Sequence, residues 1–153
     1  MGHKVVCRNK KAAFDYFIEE TFEAGMVLLG PEVKSLREGR ANLVDSHAKV
    51  RKGEVYLVSM HITPYADAST HVKLDPLRER KLLLKKREIK RLIGKTEERG
   101  YSLIPTRVYF TEKGRAKVEI ALAKGKKKYD KRQSLKEKEM KREIAQAKKR
   151  GEY

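Results

Sequence analysis

Two stretches of this chain alternate apolar and polar residues with the period of two expected of a half-buried strand. In NLVDSHAKVR (42–51), Val44, Ser46, Ala48 and Val50 share one face, and Asp45, His47, Lys49 and Arg51 share the other. Lys52-Gly53 supplies a two-residue turn and EVYLVSMHI returns, which predicts a hairpin. The device repeats downstream. YSLIPTRVYF leads through Glu112-Lys113-Gly114-Arg115 into AKVEIALA, where Val118, Ile120 and Leu122 alternate against Lys117, Glu119 and Ala121.

The remaining pattern adds one strand and three helices. Residues 14–29 are rich in aromatic and β-branched side chains (Phe17, Ile18, Thr21, Phe22, Val27) and predict an extended segment broken at Gly25. Gly30-Pro31 opens a short helix, PEVKSLRE, which Gly39 is placed to end. Between the hairpins, residues 78–99 predict a basic helix with one apolar stripe (Leu82, Ile89, Leu92, Ile93), closed by Gly100. Near the end, Ser134 and Glu137 form a capping box, Glu137 and Lys141 an i,i+4 pair, and Gly151 a stop. That predicts a helix of about sixteen residues with a thin apolar face (Leu135, Met140, Ile144, Ala147), marginal on its own in water.

This divides the chain into a flexible N-terminus (1–13), a mainly β domain (14–124) and a basic tail (125–153). Five or six short strands with two or three flanking helices suggest a small antiparallel OB-like barrel. An SH3-like barrel or an α+β sheet would give a similar pattern.

Charge sharpens the picture. The 153 residues carry a formal net charge of +17, and residues 124–153 hold 13 Lys/Arg against 5 Asp/Glu. A segment so charged and so poor in apolar residues builds no core, and it seeks a polyanion whose counterions it can release. The expected tail is disordered when free and helical on an RNA surface; a permanently flexible tether is the alternative. No apolar run approaches the ~18 residues of a membrane span, and MGHKVVCRNKK lacks the apolar stretch of a signal peptide. Cys7 is the one cysteine, which excludes an intramolecular disulfide and fits a reducing cytoplasm. The expectation is a cytoplasmic protein with no membrane partner.

Candidate catalytic chemistry is thin. The histidines (His3, His47, His61, His71) lack ligand spacing, no phosphate-binding glycine loop occurs, and no cofactor is implied. Glu19, Glu20 and Glu23 with Asp45 could hold a metal only if the fold gathered them. The expectation is no metal and no enzyme, with a metal-dependent nuclease as the remote alternative. The basic helix offers phosphate contacts through Lys81, Lys85, Lys86, Arg87, Lys90 and Arg91. Tyr56, Tyr65, Tyr101 and Tyr109 could stack on bases, although at least two of them suit a barrel core.

Several blocks in order carry a resemblance: NKKA with Asp15-Tyr16, YFIEE, FEAG, EVKSLR, Asn42 with Asp45-Ser46, ITP, STHV, RKLLL and AKGKKKYDKR. Over residues 9–140 the chain resembles the SsrA-binding proteins (small protein B), partners of transfer-messenger RNA in ribosome rescue. The resemblance implies an OB-like barrel that clasps the tRNA-like domain of that RNA, with no catalytic role. It puts Glu23, Lys34, Arg37, Asn42, Leu83, Lys85, Lys117 and Lys124 on the RNA-binding surface. It makes Gly125 a swivel into a tail that enters the empty messenger channel. There Lys126, Lys127, Lys128, Tyr129, Asp130, Lys131 and Arg132 lie near the decoding centre. The ribosome and elongation factor Tu are the further partners it implies. At position 85 the family usually carries His or Asn; Lys85 replaces base-specific hydrogen bonding with a cation suited to phosphate. A general nucleic-acid-binding or ribosomal structural protein is the alternative reading.

Overall fold

The computed structural model describes residues 4–65, 74–98 and 100–151. His3, His71 and the STHV block lie outside them. Both hairpins form. In the first, β4 (His47–Arg51) pairs with β5 (Glu54–Val58) from His47–Val58 to Arg51–Glu54, and Lys52 (φ 50°) with Gly53 (φ 76°) makes the turn. Positive φ at both central positions lets the turn follow the twist of the strands. In the second, β8 (Tyr101–Phe110) pairs with β9 (Ala116–Gly125) along its length. The register shifts between Pro105 and Arg107, where proline cannot donate to the ladder.

The long strand β2 (Tyr16–Met26) lies against β9, and β7 (Arg80–Leu83) joins β2 to β5. Since β8 also pairs with β4, the order β8-β4-β5-β7-β2-β9 returns to β8 and closes a six-stranded antiparallel barrel. The closure at β4–β8 rests on one pair, Ala48 with Leu103. Phe22, Ala24, Leu57, Leu82, Val108, Val118, Ile120 and Leu122 fill the interior. Helix α2 (Gly30–Arg37) follows β2, with Gly39 at φ 75° just past its end. Helix α3 (Lys86–Thr96) buries Leu92 in the same core and packs Ile89 against it. The mainly β, OB-like architecture is thus present, with a two-stranded appendage of β3 (Ala41–Asn42) and β6 (His61–Ile62).

Four expectations need correction. The N-terminus is not loose across 1–13: β1 (Lys4–Arg8) adds to the edge of β8, and α1 (Ala12–Asp15) buries Ala12 against Ile104 and Ala123. Gly25 does not break its strand; it sits in the ladder between Leu83 and Lys117. The first hairpin strand starts at His47 rather than Asn42. Asn42 Oδ1 accepts the Val44 N–H (2.7 Å) and Asp45 turns to φ 62°, so a local side-chain bond replaces the ladder there. Finally, residues 80–83 are strand and not helix. Leu82 belongs to a period-two pattern whose other inward residue is a fully buried arginine, Arg80, and a charged residue in the core defeats a reading by hydrophobicity.

The tail forms α4 (Lys128–Lys149), 22 residues with none buried, some 33 Å at 1.5 Å per residue. It starts six residues before the predicted cap. Asp130 Oδ2 accepts the Lys127 N–H (3.3 Å), while Ser134 lies inside the helix, its hydroxyl donating to Asp130 O (3.0 Å).

Candidate nucleic-acid interface

Strand alternation that sends Phe22, Ala24 and Met26 inward must send Glu23 outward, and Glu23 is exposed. Its cross-strand neighbour on β9 is Glu119, which faces Arg107 on β8. The next row holds Gly25, Lys117 and Tyr109. Two adjacent carboxylates repel, and the surrounding groups offset this. Arg107 Nε lies 3.5 Å from Glu119 Oε2, the Thr106 hydroxyl donates to the same oxygen, and the Tyr109 hydroxyl donates to Glu23 Oε2. Burial and then the Glu23 carboxylate push the Tyr109 phenol well above its ordinary pKa of 10, so it remains a donor.

Gly25 leaves room beside this row. A Cβ at that position would lie 3.3 Å from Leu83 Cβ and 3.6 Å from Lys117 Nζ. The missing side chain therefore lets an ammonium and a half-exposed leucine converge next to Glu23. Glu23, Lys117 and Leu83, from three strands, form one patch. Lys85 follows two residues after Leu83 as the exposed N-cap of α3, where its N–H donates to Glu88 Oε1 (3.0 Å). From α2, Arg37 reaches the tip of the β8–β9 hairpin, its guanidinium 5.6 Å from the Phe110 ring centroid and Nη2 3.9 Å from the Cβ position of Gly114. Lys34 Nζ lies 5.4 Å from the Tyr65 ring centroid. The patch offers a hydrogen-bond acceptor, a cation and an apolar shoulder, with further cations at the same barrel end.

Two expected members lie elsewhere. Asn42 is on the appendage, its Oδ1 used by Val44. Lys124 pairs with Phe17 and Tyr101 at the far end of β9, its Nζ 5.8 Å from the Tyr101 ring centroid. That end is the root of the tail. Gly125 is the last ladder residue of β9, opposite Tyr16, and beyond it the Lys126 N–H donates to Asp15 O (2.9 Å). Lys126 Nζ reaches Ala13 O (3.0 Å) and Ser134 Oγ (2.7 Å), and Lys131 Nζ lies 3.5 Å from Asp15 Oδ1. Lys127, Lys128, Tyr129 and Arg132 remain exposed, Tyr129 at 75%.

The acidic candidates for a metal are dispersed: Glu19 accepts from the Tyr101 hydroxyl (2.7 Å), Glu20 from Arg91 Nε (2.7 Å), and Glu23 from Tyr109. Among the tyrosines, Tyr109 is buried on the outer face rather than in the core, and Tyr56 lies under the Arg51 guanidinium (4.4 Å). At the β4–β8 seam, across the ring from the Gly25–Leu83 seam, the strands part around an open cleft of about 630 Å³ lined in part by Asn9, Tyr16, His47 and Tyr101. Sequence reading offered Tyr109 only as a ring that could stack on bases, and it missed Arg107 and Asp15 as members of these sites. The alternation of RVYF against KVE, read as a register, would have placed the first two beside Glu119 and Lys117.

The sequence pattern of the SmpB protein family matches residues 6–150. An SsrA-binding protein of Syntrophobacter fumaroxidans is 62% identical over 147 residues, covering 96% of this chain and 90% of its own. One from Geobacillus thermodenitrificans is 60% identical over 144 residues, covering 94% and 92%. A solved structure described as "tmRNA-SmpB: a journey to the center of the bacterial ribosome" superposes with a TM-score of 0.67 at 44% identity, over 84% of this chain and 93% of that one.

Proposed function

This chain belongs to the SmpB protein family, and on that premise we propose that it is an RNA-binding adaptor without catalytic activity. It binds the tRNA-like domain of transfer-messenger RNA and delivers it to stalled ribosomes. The barrel supplies recognition through the patch of Glu23, Lys117 and Leu83, with Lys85, Lys34 and Arg37 taking nearby phosphates. Asn42 and Lys124 lie apart from this patch and contribute to RNA binding from the appendage and from the tail root. The tail enters the empty messenger channel. Lys126 to Arg132 then lie near the decoding centre, where Tyr129 stacks and the cations meet phosphates, with Gly125 as the swivel. On the ribosome α4 becomes lastingly helical; free, it is marginal because no residue of it is buried. The adaptor works in the cytoplasm, with elongation factor Tu as its companion in delivery.

The observation that supports this most is the convergence of Glu23, Lys117 and Leu83 around the Gly25 gap. A merely basic protein has no use for an exposed carboxylate at the centre of its RNA surface. Glu can accept from a base amino group or a ribose 2′-OH, a contact that selects shape rather than charge. The test is binding to a tRNA-like stem-loop RNA across a salt series, with total tRNA and duplex DNA as competitors. A preference that persists as salt rises supports the adaptor. Equal affinities that fall together leave only the counterion term, and the chain would then be a general nucleic-acid binder.

A further inference from the structure

Glu23 has two carboxylate oxygens, and one of them is already used. The Tyr109 hydroxyl donates to Oε2 across the outer face of the barrel. Tyr109 is itself immobilised: only 2% exposed, it pairs with Lys117 on β9 and with Val5 on β1. The Arg107 guanidinium lies 4.7 Å from its ring centroid, and Glu119, which accepts from the Thr106 hydroxyl, anchors that arginine in turn. A rigid phenol thus holds a flexible, exposed carboxylate. Without it, Glu23 would be free to swing toward Lys117 or into solvent, and its rotamers would have to be frozen on binding.

We infer that Tyr109 is a positioning residue for RNA recognition: it fixes Glu23 so that Oε1 alone faces the ligand and accepts a hydrogen bond from an RNA donor, a base amino group or a ribose 2′-hydroxyl. The inference rests on the proposed role of Glu23. Tyr109 touches no RNA in this account and acts only through the carboxylate. Its neighbours Arg107 and Glu119 belong to the same support, which explains why two carboxylates stand side by side on the outer wall of a +17 protein.

The experiment is a double-mutant cycle on the full chain. Binding to a tRNA-like stem-loop RNA and to duplex DNA is measured for the wild type, Glu23→Ala, Tyr109→Phe and the double variant. Phenylalanine keeps the ring and its packing and removes only the hydroxyl, whereas alanine at 23 removes the acceptor altogether. Having to freeze the freed carboxylate on binding predicts a loss of about five- to tenfold for the RNA in Tyr109→Phe. Duplex DNA, held by charge alone, should be unaffected. In the Glu23→Ala background the same change should cost less than about twofold, since the group it positions is gone. Tyr109→Phe binding the RNA as wild type, while Glu23→Ala binds weakly, would overturn the inference and leave the recognition patch standing. Equal losses in both backgrounds, or a matching loss for DNA, would make Tyr109 a packing residue and overturn it as well. Wild-type binding by Glu23→Ala would remove the role of Glu23 itself, and the inference with it.

Discussion

Arg80 and Glu32 meet inside the fold, with Nε (3.0 Å) and Nη2 (2.7 Å) of the guanidinium both donating to Oε2 of the carboxylate. Arg80 is fully buried and Glu32 is 4% exposed. Both groups have further partners: Arg80 also donates to Met60 O and Pro76 O, and Glu32 Oε1 accepts from Arg78 Nη2 (2.6 Å) and the Leu29 N–H (2.9 Å). The pair ties α2 to β7 and to the loop before it. It thereby fixes the helix that carries Lys34 and Arg37 relative to the strand that carries Leu83.

Breaking one partner leaves the other charge buried and alone. Arg80→Met or Glu32→Gln should therefore destabilise the protein by about 3–5 kcal/mol, and the double replacement by less than the two singles together. Urea unfolding of the four proteins checks this.

The same pair makes stability acid-sensitive. Burial pushes the Glu32 carboxyl up, but hydrogen bonds from Arg78, the Leu29 N–H and Arg80, with the Arg80 charge, outweigh it and hold the folded pKa below 4.5. A depressed folded pKa means this contribution is fully present above about pH 4.5 and is lost as pH falls through the folded value. Unfolding midpoints measured from pH 6 down to pH 3 should fall more steeply for the wild type than for Glu32→Gln.

Gly25 should tolerate little. Valine there would press on Leu83 and displace the Lys117 ammonium, at an overpacking cost of about 1–3 kcal/mol. Affinity for a tRNA-like RNA should drop by about tenfold or more, while duplex DNA binding changes little. Filter binding with thermal melting of the same samples separates the two effects.

At the tail root, Asp15 holds Lys131 by a side-chain contact and Lys126 by its carbonyl. Asp15→Asn should leave RNA affinity within about twofold, because an exposed pair contributes at most ~1 kcal/mol. It should, however, increase amide exchange over the first two turns of α4, as hydrogen-exchange mass spectrometry would read.

Much of the barrel was legible because both hairpins carry stretches of period-two alternation and turns that demand left-handed backbone. Illegible parts are residues whose conformation is set by a particular hydrogen-bond or ion-pair partner, distant in some cases and local in others. Arg80 reads as a helix-face cation until Glu32 is placed beside it. Residues 4–8 are too short to announce a strand, and become one because β8 offers an open edge. Asp130, rather than the better-looking Ser134 and Glu137, marks the start of α4 by accepting the N-cap Lys127 N–H, and Ser134 inside the helix accepts from Lys126. On the surface, the Glu23 patch was legible as a list through the family resemblance. The Gly25 gap and the Tyr109 contact, which give that list a geometry, depend on cross-strand register.

The division of labour between barrel and tail is the central claim, and truncation after Lys128 tests it most directly. That cut removes α4 beyond its first residue while leaving every barrel strand intact. Affinity for a tRNA-like RNA should stay within about threefold of the full chain, and rescue of ribosomes stalled on a messenger without a stop codon should be lost. Loss of RNA binding together with rescue, or rescue that survives the cut, would contradict the account.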